Sequence, residues 1–183
     1  MTDTMQRVVL AARPEGAPKD SDFRLEEAPV PTPGDGEFLC RTIYLSLDPY
    51  MRGRMNDVKS YTPPFVLGEP MQGGAVGEVV ESTADGFAAG DLVLHMAGWR
   101  DEAVIPANQA QKLPPLGVDP QAFLGQLGMP GMTAYFGLFD VASAKPGDVV
   151  FVSAAAGAVG STVVQIAKAK GMTVIGSAGG ADK

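Results

Sequence analysis

The residues best suited to bind a ligand form a glycine-containing turn in the last third of the chain. The segment Ala154–Gly160 reads AAAGAVG, and against the dinucleotide fingerprint Gly157 and Gly160 take the second and third glycine positions while Ala155 replaces the first. The second glycine lets the backbone approach a pyrophosphate, and the third lets the helix pack closely on the preceding strand. Free N–H groups at the helix start then face the anion. The predicted contacts come from Ala156, Gly157, Ala158, Val159 and Gly160; the alternative is an ordinary tight turn.

The elements around this turn must position it. Val149–Val152 is a fully apolar run, as expected for a strand buried on both faces of a parallel sheet. Gly157–Lys170 has the pattern of a helix that ends at Gly171, and Met172–Gly176 is a second apolar strand. Strand, turn, helix and strand together predict a βαβ unit.

The end of the second strand indicates which dinucleotide would bind. A site for NAD usually places an acidic residue there, to bind the ribose hydroxyls. Here the strand continues as Ser177–Gly180 (SAGG), the next acid is Asp182, and Lys183 follows. An open strand end followed by a lysine favours NADPH, whose 2′-phosphate Lys183 could neutralise. The alternative for Lys183 is a solvated residue without a ligand.

The rest of the chain has two textures. Short alternating strands between Arg7 and Leu113 predict a small β-barrel, with a compact turn at Asp48–Arg54. Beyond it, Asp119 is a predicted N-cap for a helix through Leu127. A second helix is predicted over Met132–Ala142. Its apolar stripe is expected to be core and comprises Met132, Tyr135, Phe136 and Phe139.

Composition excludes several functions. The formal net charge of −7 argues against nucleic acid, and no apolar run is long enough for a membrane span. Cys40 and His95 are the only cysteine and histidine, so we predict no metal site. We expect Cys40 to be a small core residue and His95 a packed or hydrogen-bonded one. The simplest cellular address is the cytoplasm.

Four segments together resemble one family. LSLDPYMRGRM (Leu45–Met55), GMPGMTAYFGL (Gly128–Leu138), the turn with its following QIAK (Gln165–Lys168), and GGADK (Gly179–Lys183) occur in order over nearly the whole chain. They are similar to the leukotriene B4 dehydrogenase / prostaglandin reductase group of medium-chain reductases. That group includes plant alkenal double-bond reductases and bacterial curcumin-reductase-like enzymes.

The resemblance implies a mixed fold: an N-terminal GroES-like β-barrel over 1–118, then connecting helices and the first βαβ unit of an α/β Rossmann domain over 119–183. It implies zinc-independent, NADPH-dependent reduction of the C=C bond of a small-molecule enone or enal, by hydride transfer to the β carbon and protonation of the enolate. Met129 and Thr133 would lie near the nicotinamide and Lys183 at the 2′-phosphate. Tyr50 would position the substrate. Members are often dimers, so a homodimer is the assembly to test.

Three alternatives stay open. Tyr50 could instead pack under the turn at Asp48–Arg54. The chemistry could be that of a quinone reductase of the same superfamily. Because the chain stops just after the second Rossmann strand, it could also be a fragment or a non-catalytic NADPH-binding module. We therefore expect these 183 residues alone to bind NADPH weakly and to catalyse poorly.

Overall fold

The computed structural model describes residues 4–180. Their contacts fall into two units, and the division lies between Gly117 and Val118. Within the described residues no helix has the length and apolar character needed to cross a membrane.

The first unit is built from two antiparallel sheets. One pairs β1 with β2, and the other has five strands in the order β6-β3-β4-β5-β7. The alternating segments of the sequence form most of these strands, whereas β6 and β7 were not predicted. The bounds are β1 Thr4–Leu10, β2 Phe23–Pro29, β3 Glu37–Leu45, β4 Ala75–Ser82, β5 Leu92–His95, β6 Glu102–Pro106 and β7 Gln111–Lys112. This arrangement confirms the predicted GroES-like, strand-rich first part.

The sequence's lone cysteine and lone histidine are both in the interior of this unit. Cys40 is fully buried in a cluster with Phe38 and Val93, and burial raises the pKa of its thiol to about 12, so it stays neutral. His95 is 2% exposed, and its Nδ1 accepts a hydrogen bond from the backbone N–H of Ala97 at 3.2 Å. The predictions of a core cysteine and a packed histidine are confirmed.

A short helix replaces the predicted turn after β3. Helix α1 spans Tyr50–Arg54, and Met51 anchors it in a buried cluster with Leu10, Phe65 and Met71. Because Met51 points into this cluster, the helix holds the neighbouring Tyr50 at the edge of the unit, where it is half-buried.

The second unit starts with a single 3₁₀ turn. Asp119 is its N-cap, as predicted, and accepts a hydrogen bond from the N–H of Gln121 at 3.1 Å. The helix expected through Leu127 is shorter, because it spans only Pro120–Leu124 and ends at Gly125. Helix α2 then spans Met129–Phe136 and runs into a π-helical turn at Gly137–Val141.

The predicted βαβ unit follows and is confirmed. Strand β8 (Val149–Val152) pairs in parallel with β9 (Thr173–Gly176), and helix α3 (Ala158–Ala169) connects them. Gly171 follows the helix with φ +78°, the left-handed conformation that glycine adopts readily at a helix end.

Two burial predictions for this unit are wrong in the described residues. On α2 the small residues Gly131 and Ala134 are buried, whereas Met132, Tyr135 and Phe136 are all at least half exposed; of the predicted stripe only Phe139 packs against the core. On β8, Val150 and Val152 face the interior, while Val149 and Phe151 are each 66% exposed. The reason for the exposure on β8 is that α3 covers only one face of the two-stranded sheet formed by β8 and β9.

Candidate functional site

The turn between β8 and α3 has the backbone geometry of an anion site. Ala154 is in the left-handed region with φ +49°, which reverses the chain after β8. Gly157 is the N-cap of α3 in an extended conformation, and no side chain caps the helix. The N–H groups of Ala158, Val159 and Gly160, the first three of α3, therefore have no intrahelical acceptor. They are available to a negatively charged group.

The two glycines of the turn have different neighbours. A Cβ on Gly160 would overlap the carbonyl oxygen of Ala154, whereas a Cβ on Gly157 would lie 3.2 Å from the same oxygen. Gly160 is buried and Gly157 is exposed. The close packing at Gly160 is what the third fingerprint glycine was expected to allow. The approach of a ligand to Gly157 stays a prediction.

A cleft of about 380 Å³ lies between the turn and the end of β9. Two backbone hydrogen bonds hold the turn to the residue that follows β9. The N–H of Ala155 donates to Ser177 O, and the N–H of Ser177 donates to Val152 O, each at 2.9 Å. A Cβ on Gly176 would lie 2.8 Å from the Cβ of Ala155, which is too close for two carbon atoms. Glycine at position 176 therefore allows the end of β9 to lie close to the turn. The cleft is lined by Ala155, Ala156, Val164, Lys168, Val174, Gly176, Ser177 and Ala178.

The charges of this cleft are known for the described residues only. Among residues 4–180 its lining includes no carboxylate and one ammonium group, that of Lys168. A second cleft, of about 440 Å³, opens on the other side of the turn against Leu138 and Val150, and Gly157, Val159 and Gly160 line it. Of the predicted turn residues, Ala156 thus lines the first cleft and Gly157, Val159 and Gly160 line the second, whereas Ala158 lines neither.

The other predicted cofactor contacts are less well defined. Met129 is the first residue of α2, and the hydroxyl of Thr133 donates to Met129 O at 2.8 Å. Both side chains are exposed and neither lines the two clefts. Their proximity to a nicotinamide stays a prediction. Lys183 lies outside the described residues, so its predicted contact with a 2′-phosphate also stays a prediction.

A separate cavity of about 280 Å³ in the first unit contains Tyr50, and we call it the Tyr50 cleft. Burial raises the pKa of the Tyr50 phenol, the Asp48 carboxylate raises it further, and the Arg54 guanidinium opposes both. The phenol is therefore a hydrogen-bond donor at neutral pH. The cleft is lined by Pro49, Tyr50, Gly53, Arg54, Asn56, Val58, Lys59, Ser60, Tyr61, Thr62 and Pro64.

The two arginines of α1 hold neighbouring segments of the chain against this helix. Arg52 donates to Pro14 O at 3.2 Å, to Gly16 O at 2.7 Å and to Asn56 Oδ1 at 2.8 Å. Arg54 donates to Pro63 O at 2.9 Å and lies over the ring of Phe65, 4.2 Å from its centroid. Both side chains therefore anchor the segments that flank α1.

Sequence reasoning missed Tyr61 and Lys59. Tyr61 is 88% exposed and shares the Tyr50 cleft. Both residues lie in a loop with no periodic pattern, and only the nearby Pro63-Pro64 marks it in the sequence. No spacing rule would have joined them to Tyr50.

Residues 4–180 contain no group of three or more His, Cys, Asp and Glu side chains placed to hold a metal ion.

Comparison with known proteins shows which family this chain belongs to. The family described as the N-terminal domain of oxidoreductase matches residues 6–113. The chain is 52% identical over 178 residues to the NADPH-dependent curcumin reductase of Escherichia coli K12, covering 97% of this chain and 52% of that protein. It is 43% identical over 172 residues to rat (Rattus norvegicus) prostaglandin reductase 1, covering 92% and 50%.

A solved structure shares the fold. The crystal structure of CurA from Vibrio vulnificus in complex with NADPH is 48% identical, with a TM-score of 0.89 over 97% of this chain and 52% of that one. The chain thus spans about half the length of the relatives it matches. It belongs to the medium-chain dehydrogenase/reductase family, in the group that contains the curcumin, prostaglandin and alkenal reductases.

Proposed function

We propose that this protein reduces the C=C bond of α,β-unsaturated ketones or aldehydes with NADPH as the hydride donor. The observation that carries the proposal is the uncapped start of α3 beside the end of β9, where the residues described up to Gly180 place no carboxylate. The identity with the curcumin and prostaglandin reductases supports the same chemistry.

In this proposal the two parts of the chain have different tasks. Residues 1–118 form the substrate-side domain, which contributes the Tyr50 cleft. Residues 119–183 carry the connecting helices and the start of the NADPH-binding domain. This division assigns the proposed anion-binding turn to the second part and the phenols of Tyr50 and Tyr61 to the first.

The residues that would hold the cofactor follow from the site. The N–H groups of Ala158, Val159 and Gly160 would bind the pyrophosphate, with Ala156 and Gly157 allowing its close approach. Met129 and Thr133 would contact the nicotinamide, and Lys183 the 2′-phosphate. NADPH, when bound, supplies the hydride that the β carbon of the acceptor takes.

Tyr50 would act on the acceptor's oxygen. As the β carbon takes the hydride, negative charge develops on the carbonyl oxygen, and a positioned phenol donates a hydrogen bond to it. Burial and the nearby Asp48 raise the pKa of Tyr50, so it remains a donor rather than a base at neutral pH. Protonation at the α carbon then completes the reduction.

The test is NADPH oxidation by the purified, mass-verified 183-residue chain with a simple α,β-unsaturated ketone. NADH, a saturated ketone and a quinone serve as the comparison arms. Turnover that requires both NADPH and the enone supports the proposal. Faster turnover with the quinone would favour a quinone reductase. Because the chain spans about half the length of its relatives, cofactor binding without turnover would leave a fragment or a binding module, and the same assay on the full-length protein would decide between them.

A further inference from the structure

The Tyr50 cleft holds two positive charges and no carboxylate among its lining residues. Arg54 and Lys59 both line it, together with the phenols of Tyr50 and Tyr61. The protein as a whole carries a formal net charge of −7. A local surplus of cations on an acidic protein is a feature that an anionic ligand would match.

Neutral groups satisfy the donors of Arg54 without neutralising its charge. Its Nε donates to the backbone oxygen of Pro63 at 2.9 Å, and its Nη2 donates to the amide oxygen of Gln72 at 3.2 Å. Among residues 4–180, neither Arg54 nor Lys59 forms an ion pair. Neither cation is therefore paired directly with a carboxylate in this part of the chain, although the Asp48 carboxylate lies near enough to Tyr50 to raise the pKa of its phenol.

The two nearest acids in the sequence do not change this. Asp57 pairs with Arg13, with 3.6 Å between Oδ2 and Nη2. Asp48 accepts a hydrogen bond from the hydroxyl of Ser46 at 3.0 Å. Neither carboxylate lines the cleft, so both cations remain available to a ligand.

We propose that the Tyr50 cleft selects acceptors that carry a carboxylate, with Lys59 and Arg54 binding that group. This inference rests on the proposed function and narrows its substrate class to acidic enones. The cleft volume of about 280 Å³ suits one end of such a molecule rather than all of it. Lys59 supplies an exposed ammonium group, and Arg54 is held in place by Pro63 and Phe65.

The experiment compares benzylideneacetone with its para-carboxylate as ligands of the full 183-residue chain. Dissociation constants are measured by calorimetry near neutral pH, at low and at high salt. The variants are Lys59→Met and Lys59→Arg. Lys19→Met serves as a charge-matched control, because Lys19 is exposed and does not line the cleft.

We expect the carboxylate to bind about threefold to tenfold more tightly than the neutral enone at low salt, with less preference at high salt. Lys59→Met should abolish the preference, Lys59→Arg should keep it, and Lys19→Met should leave it unchanged.

Two results would overturn this inference alone: binding of the neutral enone with no gain from the carboxylate, or equal weakening of both compounds by Lys59→Met. Weakening of NADPH instead of the acceptor by Lys59→Met would also overturn it, since the cation would then serve the cofactor. Failure of both compounds to bind would count against the proposed function as well.

Discussion

Gly160 lies against the carbonyl oxygen of Ala154, so that any Cβ at position 160 would overlap that oxygen. Helix α3 can lie this close to the turn after β8 only because this position has no side chain. The same contact places the first turn of the helix next to Ala154, whose φ is in the left-handed region. Packing and anion binding therefore depend on one close approach.

Gly160→Ala should reduce both stability and NADPH binding. The added methyl group must displace α3 from β8, which we expect to cost about 1–3 kcal/mol in free energy of unfolding. Urea unfolding and calorimetric titration with NADPH would measure the two effects. Unchanged unfolding in this variant would contradict the tight contact with Ala154.

Gly157→Ala is expected to separate the two effects. Its Cβ would lie 3.2 Å from Ala154 O, a contact that a shift of a few tenths of an ångström relieves. Stability should change by less than about 1 kcal/mol, whereas NADPH should bind more weakly because the methyl group meets the pyrophosphate. A variant that binds NADPH as well as the parent chain would show that the ligand does not approach Gly157.

Ala178→Asp tests the choice of dinucleotide. Ala178 lines the cleft at the end of β9, and a carboxylate there would repel a 2′-phosphate while offering an acceptor to a ribose hydroxyl. We expect NADPH to bind about tenfold more weakly and NADH to bind no worse. Ala178→Asn is the neutral control of equal size. If both variants lose NADPH equally, the effect is steric and the electrostatic argument is wrong.

Tyr50→Phe tests the hydrogen bond to the acceptor's oxygen. Removal of the hydroxyl should lower kcat/KM for an enone by about tenfold or more, with little change in NADPH affinity. Tyr44→Phe is a suitable control, because Tyr44 lies on β3 and does not line the Tyr50 cleft. Equal rates in the Tyr50 variant and the parent chain would assign Tyr50 a packing role.

The sequence predicted the elements whose pattern is local and strong. The βαβ unit, the Asp119 N-cap and the strand Ala75–Ser82 all follow from spacing over a few residues. Strand β6 also has a local pattern, because Ala103 and Ile105 alternate inward. Prediction from sequence failed where burial depends on distant partners.

Burial on α2 and β8 shows a different limit. An apolar residue is read from sequence as buried, but the buried positions of α2 are the small residues Gly131 and Ala134. A Cβ on Gly131 would overlap the backbone of Gln126. The larger Met132 and Tyr135 are left exposed. The Tyr50 cleft was only half predicted for a related reason, since Lys59 and Tyr61 reach it from an irregular loop.

His95 should make the stability of the fold depend on pH. Burial lowers its pKa from 6.5 to about 4, and the Arg100 guanidinium contributes in the same direction. The unfolded chain therefore binds a proton near pH 6.5 that the folded chain does not bind until about pH 4. Stability is full above that window and falls as the pH drops through it, by an amount on the order of 3 kcal/mol.

His95→Asn isolates this contribution. The amide oxygen can replace Nδ1 as the acceptor for the N–H of Ala97, and the amide does not titrate. Urea unfolding of both proteins across the window should show a stability difference that shrinks or reverses as the pH falls, because only the parent chain loses the His95 term. Since the carboxylates titrate alike in both proteins, a difference that stays constant with pH would mean that His95 is protonated as easily in the folded chain as in the unfolded one.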